Sequence, residues 1–209
     1  MPLVCLGVTQ AEVRGGSASI GQADYWWYRV RGSLLHTVLH PYGAGAADVL
    51  DVGSADGPSV SWLRGDRMHI TLDVDPRGLV PGTGVCGSAL QLPFADESFD
   101  NVVTTLSLCS VGDLDVALAE IRRVLRPGGA LHFLEHVRGE GATARWQDRL
   151  TPIQRRIADG CHLNRDTAAA ILQAGFEITE LERFAMPAGA SVIRPAIQGT
   201  ALRPGTAAP

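Results

Sequence analysis

Residues 47–57, Ala-Asp-Val-Leu-Asp-Val-Gly-Ser-Ala-Asp-Gly, constrain this chain more than any other stretch. Val49, Leu50 and Val52 read as a buried strand that runs straight into a glycine turn and a helix start. A chain built this way gathers backbone N–H groups at the carboxyl end of a strand, where a nucleotide-like ligand can sit. Gly53 and Gly57 fit the need for close approach and for positive φ in such a turn. Two acids, Asp51 and Asp56, stand where a pyrophosphate would be repelled, and the Gly-x-Gly-x-x-Gly pattern of a dinucleotide site is missing. A ligand carrying an ammonium and a sulfonium group suits those charges better.

The rest of the chain alternates. Residues 22–40 carry Trp27, Val30, Leu34, Leu35 and Val38 at helical spacing and stop at Pro41. A second strand, Met68–Asp75, ends in acids before Pro76. Asp73 lies about 20 residues beyond the glycine turn, where a carboxylate accepts hydrogen bonds from ribose hydroxyls. A brief strand at 83–88 and a proline-bearing loop at 90–100 lead into a fourth strand, 101–106. Residues 113–126 form an amphipathic helix with Asp113 and Asp115 at its start and Arg122, Arg123 and Arg126 at its end, matching the helix dipole. Ala130–Val137 reads as strand five. Residues 139–160 give a helix with a kink or break at Thr151-Pro152, with Trp146, Leu150, Ile153 and Ile157 at helical spacing. A short helix over 166–174 and strands over 176–184 and within 191–203 close the chain. The expected fold is α/β, a Rossmann-like doubly wound, mostly parallel seven-stranded sheet with helices on both faces. Residues 1–20 read as a flexible arm and 21–209 as a single domain, with 22–40 as a lid helix.

Four segments together carry a resemblance. Val-Leu-Asp-Val-Gly-Ser-Ala-Asp-Gly (49–57), Leu-Asp-Val-Asp-Pro (72–76), Leu-Pro-Phe-Ala-Asp-Glu-Ser-Phe-Asp (92–100) and Glu-Ile-Arg-Arg-Val-Leu-Arg-Pro-Gly-Gly-Ala-Leu (120–131) resemble, in order and distance, class I S-adenosylmethionine-dependent methyltransferases. Within that superfamily they are similar to the methyltransferase type 11, ubiquinone/menaquinone group. Leu106–Val111 and the later Trp146…Asp159-Gly-Cys-His-Leu-Asn-Arg-Asp166 resemble small alkyl-thiol methyltransferases, whose N-terminal membrane anchor is not expected here. The resemblance implies S-adenosylmethionine as cofactor. Asp51, Gly53, Ser54, Ala55 and Gly57 would surround its methionine part, Asp73 its ribose, Val74, Ser88, Ala89 and Leu90 its adenine, and Leu106 would line the pocket. Ser88 stands where relatives often carry an Asp.

The acceptor is expected to be small and rather apolar, methylated on sulfur, oxygen or carbon. Tyr25, Trp26, Tyr28 and His162 are the candidate contacts. Glu135, His136 and His162 are candidate bases for an acceptor that must lose a proton. The alternative is a non-catalytic module that binds the cofactor. A net charge of −4 speaks against nucleic acid as partner. No apolar run reaches the ~18 residues of a membrane span. Cys5, Cys86, Cys109 and Cys161 show no Cys-x-x-Cys pairing, so free thiols, no metal and a reducing cytoplasm are expected.

Overall fold

The computed structural model describes residues 5–8, 48–54, 69–79, 82–187 and 189–205. The helix expected at 22–40, with Tyr25, Trp26 and Tyr28, and the segment holding Ala55 and Gly57 lie outside them. The described residues form a seven-stranded sheet in the order β3-β2-β1-β4-β5-β7-β6. The strands are β1 (Val49–Val52), β2 (His69–Asp73), β3 (Gly84–Cys86), β4 (Phe99–Thr105), β5 (Leu125–His136), β6 (Glu177–Ala185) and β7 (Pro195–Leu202). Pairs among β1 to β5 are parallel, and β7 enters antiparallel between β5 and β6. From β1 the chain winds outward through β2 and β3, then returns to place β4 on the other side of β1. The strand order therefore reverses between β1 and β4, and a crevice opens at their carboxyl ends.

β1 is buried along its whole length, as a central parallel strand must be. Leu50, Val52, Val102, Leu131 and Phe133 form the sheet's contribution to one core. Helix α1 (Leu114–Val124) lays Ala117, Leu118, Ile121 and Val124 onto it. Asp113 caps α1 by accepting N–H bonds from Asp115 and Val116. The 92–100 loop and α1 hold one another. The Arg123 guanidinium donates to the carbonyls of Leu92 and Phe94 and to Asp96 and Glu120, while Glu120 accepts the Leu92 N–H. Arg126 bridges Asp48 and Asp100, tying the start of β1 to the start of β4.

Strand five begins earlier than its apolar run suggests. It runs from Leu125 through Pro127-Gly128-Gly129, with a bulge against β4 between the Phe99 and Asn101 registers. Arg203 and Gly128–Gly129 exchange backbone bonds across this irregular stretch and give the glycine-rich turn a strand partner.

Helix α2 (Gly141–Ile157) passes through Pro152 without the expected break. The Thr151 hydroxyl donates to the Gln147 carbonyl (2.7 Å), and one missing N–H is tolerated on a half-exposed helix. Its apolar stripe also faces the other way from a core helix: Trp146, Ile153 and Ile157 are 52%, 54% and 75% exposed. The buried face is Ala144, Gln147 and Thr151 instead. Gln147 accepts the Gly139 N–H and donates to the carbonyls of Val137 and Val192, which makes it a polar anchor of that face. Of the arginines on α2, Arg145, Arg149, Arg155 and Arg156 are all exposed, and Arg149 lies 5.5 Å over the Trp146 ring. Helix α3 (Thr167–Gln173) starts at Asp166, whose carboxylate accepts the Ala169 N–H.

Two cysteines correct the expectation of free thiols. Cys5 and Cys86 are joined in a disulfide that spans 81 residues, and Leu6 bridges Gly87 in parallel beside it. Residues 5–8 of the expected flexible arm are thus held on the β3 edge. Pairs so far apart carry no spacing signal, because the fold rather than the local motif brings them together. With a disulfide present, the cysteines no longer argue for a reducing cytoplasm. Among the described residues no helix is long and apolar enough to cross a membrane.

His132, on β5, is fully buried between the Thr200 hydroxyl (3.1 Å from Nδ1) and Asn101 Oδ1 (3.0 Å from Nε2). A carbonyl-type oxygen only accepts, so Nε2 carries the proton and Nδ1 accepts from Thr200. Burial pulls its pKa down from 6.5 to about 4. The unfolded chain therefore binds the proton more tightly, and stability rises with pH across the interval from about 4 to 6.5 and is lost as pH falls through it. The full difference is of the order of 3 kcal/mol. Urea unfolding of wild type and His132→Gln at pH 7 and pH 4.5 should show a smaller loss for the variant; equal losses would assign the pH dependence to other groups.

Candidate active site

The crevice between β1 and β4 is built around Gly53. This residue has φ +72°, which L side chains rarely adopt. An added Cβ would stand 2.0 Å from the Ser107 Oγ. That hydroxyl donates to the Val52 carbonyl (2.9 Å), so the loop after β4 is fastened onto the end of β1. The N–H groups of Gly53 and Ser54 both donate to the Leu72 carbonyl (2.7 and 3.2 Å), which locks the turn to β2 as well. Leu106, immediately before Ser107, takes φ +53°. A non-glycine residue held there costs free energy and persists only where its surroundings over-determine it.

Those surroundings are a buried carboxylate. Glu135, 0% exposed near the end of β5, accepts the N–H of Ser107 on Oε1 (3.2 Å) and of Cys109 on Oε2 (3.1 Å). Burial raises its pKa, opposed by the N–H donors of Leu108 and Cys109. From the outer side Arg165 donates to the carbonyls of Leu108 and Val111.

Asp73 closes β2, partly buried, and its Oδ1 accepts the Asp75 N–H (2.8 Å). Asp75, its rival in the sequence, is engaged by Arg77, which lowers its pKa, and is buried. Asp73 is the last residue of β2. Asp51 is fully buried one residue before the strand end. Val74 follows Asp73, half-buried. Ser88 is buried and its Oγ accepts the Leu90 N–H (3.1 Å), which rounds the loop after β3 with Ala89 at its apex. One carboxylate, a hydroxyl loop, the apolar Val74, Leu90 and Leu106, and a turn with no Cβ form a donor set that fits a nucleoside with a cationic tail.

The three candidate bases fall differently. Glu135 is sealed inside and holds the 107–109 backbone. His136 is half-buried at the end of β5, with Nδ1 3.6 Å from Cys161 Sγ and 4.0 Å from Cys109 Sγ. His162 is half-buried; its backbone N–H donates to the Cys109 carbonyl (2.7 Å), and burial with the nearby Arg165 and Arg155 lowers its pKa. The sheet edge thus brings His136 and His162 together with Cys109 and Cys161, two free buried thiols whose closeness is invisible in the sequence. The signal for it was present only as the resemblance of 106–111 and 159–166 to one family. Among the described residues Cys109, His136 and Cys161 have ligand atoms within 4.8 Å of one another, a grouping that the absence of Cys-x-x-Cys pairs in the sequence does not reveal.

Comparison with known proteins agrees with this geometry. Residues 50–133 match the family described as "Methyltransferase domain". The matched segment runs from β1 into β5 and so contains the strand-order reversal. Over 111 residues the chain is 42% identical to thiol S-methyltransferase TMT1A of Homo sapiens, covering 52% of this chain and 46% of that protein. Over 51 residues it is 53% identical to the ubiquinone/menaquinone biosynthesis C-methyltransferase UbiE of Paracoccus denitrificans, covering 24% and 20%. The chain spans about half the length, or less, of the curated relatives it matches. The N-methyltransferase NodS of Bradyrhizobium japonicum, solved with S-adenosyl-L-homocysteine, superposes with a TM-score of 0.64 at 21% identity, covering 90% of this chain and 93% of that one. At that identity the likeness speaks for the fold.

Proposed function

We propose that this chain transfers a methyl group from S-adenosylmethionine to a small, rather apolar acceptor, with a thiol as the first choice. The observation that carries the reading is the Gly53–Ser107 contact at the strand-order reversal, inside the segment that matches a methyltransferase domain. Bound there, the cofactor supplies a sulfonium methyl activated for in-line displacement. The chain's own part is alignment and exclusion of water, and such positioning supplies up to about 7–11 kcal/mol of a barrier. Asp73 would accept from the ribose hydroxyls, Val74, Ser88, Ala89 and Leu90 would hold the adenine, and Leu106 and the Gly53–Ser54 turn would bound the methionine end. His136 and His162 stand on the acceptor side as candidate bases.

The similarity to a thiol methyltransferase supports sulfur over oxygen or carbon. The net charge of −4 and the apolar groups at the edge favour a small molecule over nucleic acid. Radiolabelled methyl transfer to a panel of thiols, phenols and quinols tests it, with thioether products expected. Cofactor binding with no transfer to any of them would favour the non-catalytic binding module. Asp73→Ala should raise the cofactor Kd about 10–100-fold, as loss of hydrogen bonds to a charged group does. Calorimetric titration measures this, and an unchanged Kd would remove Asp73 from the ribose.

A further inference from the structure

We propose that Cys109, His136 and Cys161 form a binding site for a soft, tetrahedrally coordinated divalent cation of the zinc type, with one coordination position open. The two sulfurs lie 3.8 Å apart, and His136 Nδ1 lies 3.6 Å from Cys161 Sγ and 4.0 Å from Cys109 Sγ. A tetrahedral zinc with sulfur at about 2.3 Å and nitrogen at about 2.0–2.1 Å sets its sulfurs about 3.8 Å apart and each sulfur about 3.6 Å from the nitrogen. Two of the three edges coincide with that tetrahedron and the third is slightly longer. The sulfurs are far beyond the ~2.05 Å of a disulfide, so they stand as separate donors.

The donors come from three segments: the loop after β4, the end of β5 and the turn after α2. Each is fixed before any ion arrives. Glu135 holds the Cys109 N–H, the Cys109 carbonyl accepts the His162 N–H, and Cys161 N–H donates to the Ala158 carbonyl (2.8 Å). Preset donors of this kind are what a metal site requires from its supporting shell. Leu106, Ala158, Leu163 and Ile193 pack around the thiols and give the ion a dry surround. Two thiolates neutralise a divalent cation, and the Arg165 and Glu135 charges beside them offset one another. The described residues supply three donors, the number found in open zinc sites that keep a fourth position for water or substrate. Leu106 touches the cluster while its neighbour Ser107 holds Gly53, so the site borders the crevice, and an ion bound there would occupy His136 Nδ1 and leave His162 as the candidate base.

The test uses the full chain, purified anaerobically without added metal or reductant, titrated with Co²⁺ as an optical probe. One cobalt per chain is expected, with the strong visible bands of tetrahedral cobalt and a thiolate-to-cobalt charge-transfer band, both removed by added Zn²⁺. Cys161→Ser and His136→Gln should each weaken binding at least about tenfold, since loss of a mere supporting group costs about 10–100-fold. The double variant Cys5→Ser/Cys86→Ser should bind as wild type does. An added small thiol should shift the charge-transfer band by entering the open position. Octahedral spectra, binding indifferent to both ligand substitutions, a band unmoved by thiol, or thiol counts that find Cys109 and Cys161 joined in the purified protein would each overturn the proposal. None of these readouts depends on methyl transfer.

Discussion

Gly53→Ala should destabilise the domain by about 2–5 kcal/mol and cut cofactor affinity more severely than any change at the crevice rim. Two costs add. An alanine at φ +72° is strained by roughly 1–2 kcal/mol. Its Cβ would also fall 2.0 Å from Ser107 Oγ and 2.7 Å from Ser107 Cβ, and overpacking of this kind costs about 1–3 kcal/mol. The serine cannot simply rotate away, because its hydroxyl is spent on the Val52 carbonyl. Relief must come from moving the 106–109 loop, which carries Leu106. For a chain of this size the melting temperature should fall by about 4–20 °C. The double variant Gly53→Ala/Ser107→Gly removes the clash but not the backbone strain, so it should recover part of the loss. Thermal melts and cofactor titrations of all four proteins form a cycle, and additive effects would show that the two residues do not touch.

The contact behind that prediction illustrates what the sequence could reveal. The turn at Gly53–Ser54 is legible because a glycine directly after a buried strand reports a local backbone demand. Ser107 is not, because nothing local says that a serine 54 residues later will close on it. The same division runs through the motifs that carry the family resemblance. The 92–100 and 120–131 segments look like site motifs, yet their hydrogen bonds are spent on each other: Arg123 and Glu120 hold the Leu92–Asp96 loop, and Arg126 holds Asp48 and Asp100. They identify the fold because they brace the sheet that opens the crevice. The sequence places Asp73 by its distance from the turn, and the structure adds that Arg77 engages its neighbour Asp75.

Periodicity failed where orientation mattered. Trp146, Leu150, Ile153 and Ile157 are spaced as one helix face, and they are one face of α2. Spacing defines a face but not the direction it points, and here the polar Gln147 is the buried anchor. The Cys5–Cys86 bond and the Cys109–His136–Cys161 group escaped for the reason that Ser107 did. Their members are far apart along the chain, and only the sheet's carboxyl edge and the β3 margin bring them together.

Replacement of Glu135 decides whether that edge is scaffold or chemistry. The carboxylate is fully buried and accepts N–H bonds from Ser107 and Cys109. Glu135→Leu leaves those donors unpaired in a dry interior, at about 1–3 kcal/mol each. The expected loss is therefore about 2–6 kcal/mol of stability. Glu135→Gln keeps one acceptor oxygen but turns an amide N–H₂ towards the other donor, so it should fall between wild type and the leucine variant. Both variants release the strained Leu106 and loosen Ser107 from Val52, so cofactor Kd should rise in the same order. At saturating cofactor the turnover of the glutamine variant should stay within a few-fold of wild type, because a group sealed behind the loop cannot reach the acceptor's proton. Chemical denaturation, cofactor titration and single-turnover methyl transfer measure the three quantities. The opposite pattern, with stability and Kd unchanged and turnover lost, would make Glu135 the base and would require an opening of the 106–109 loop during catalysis.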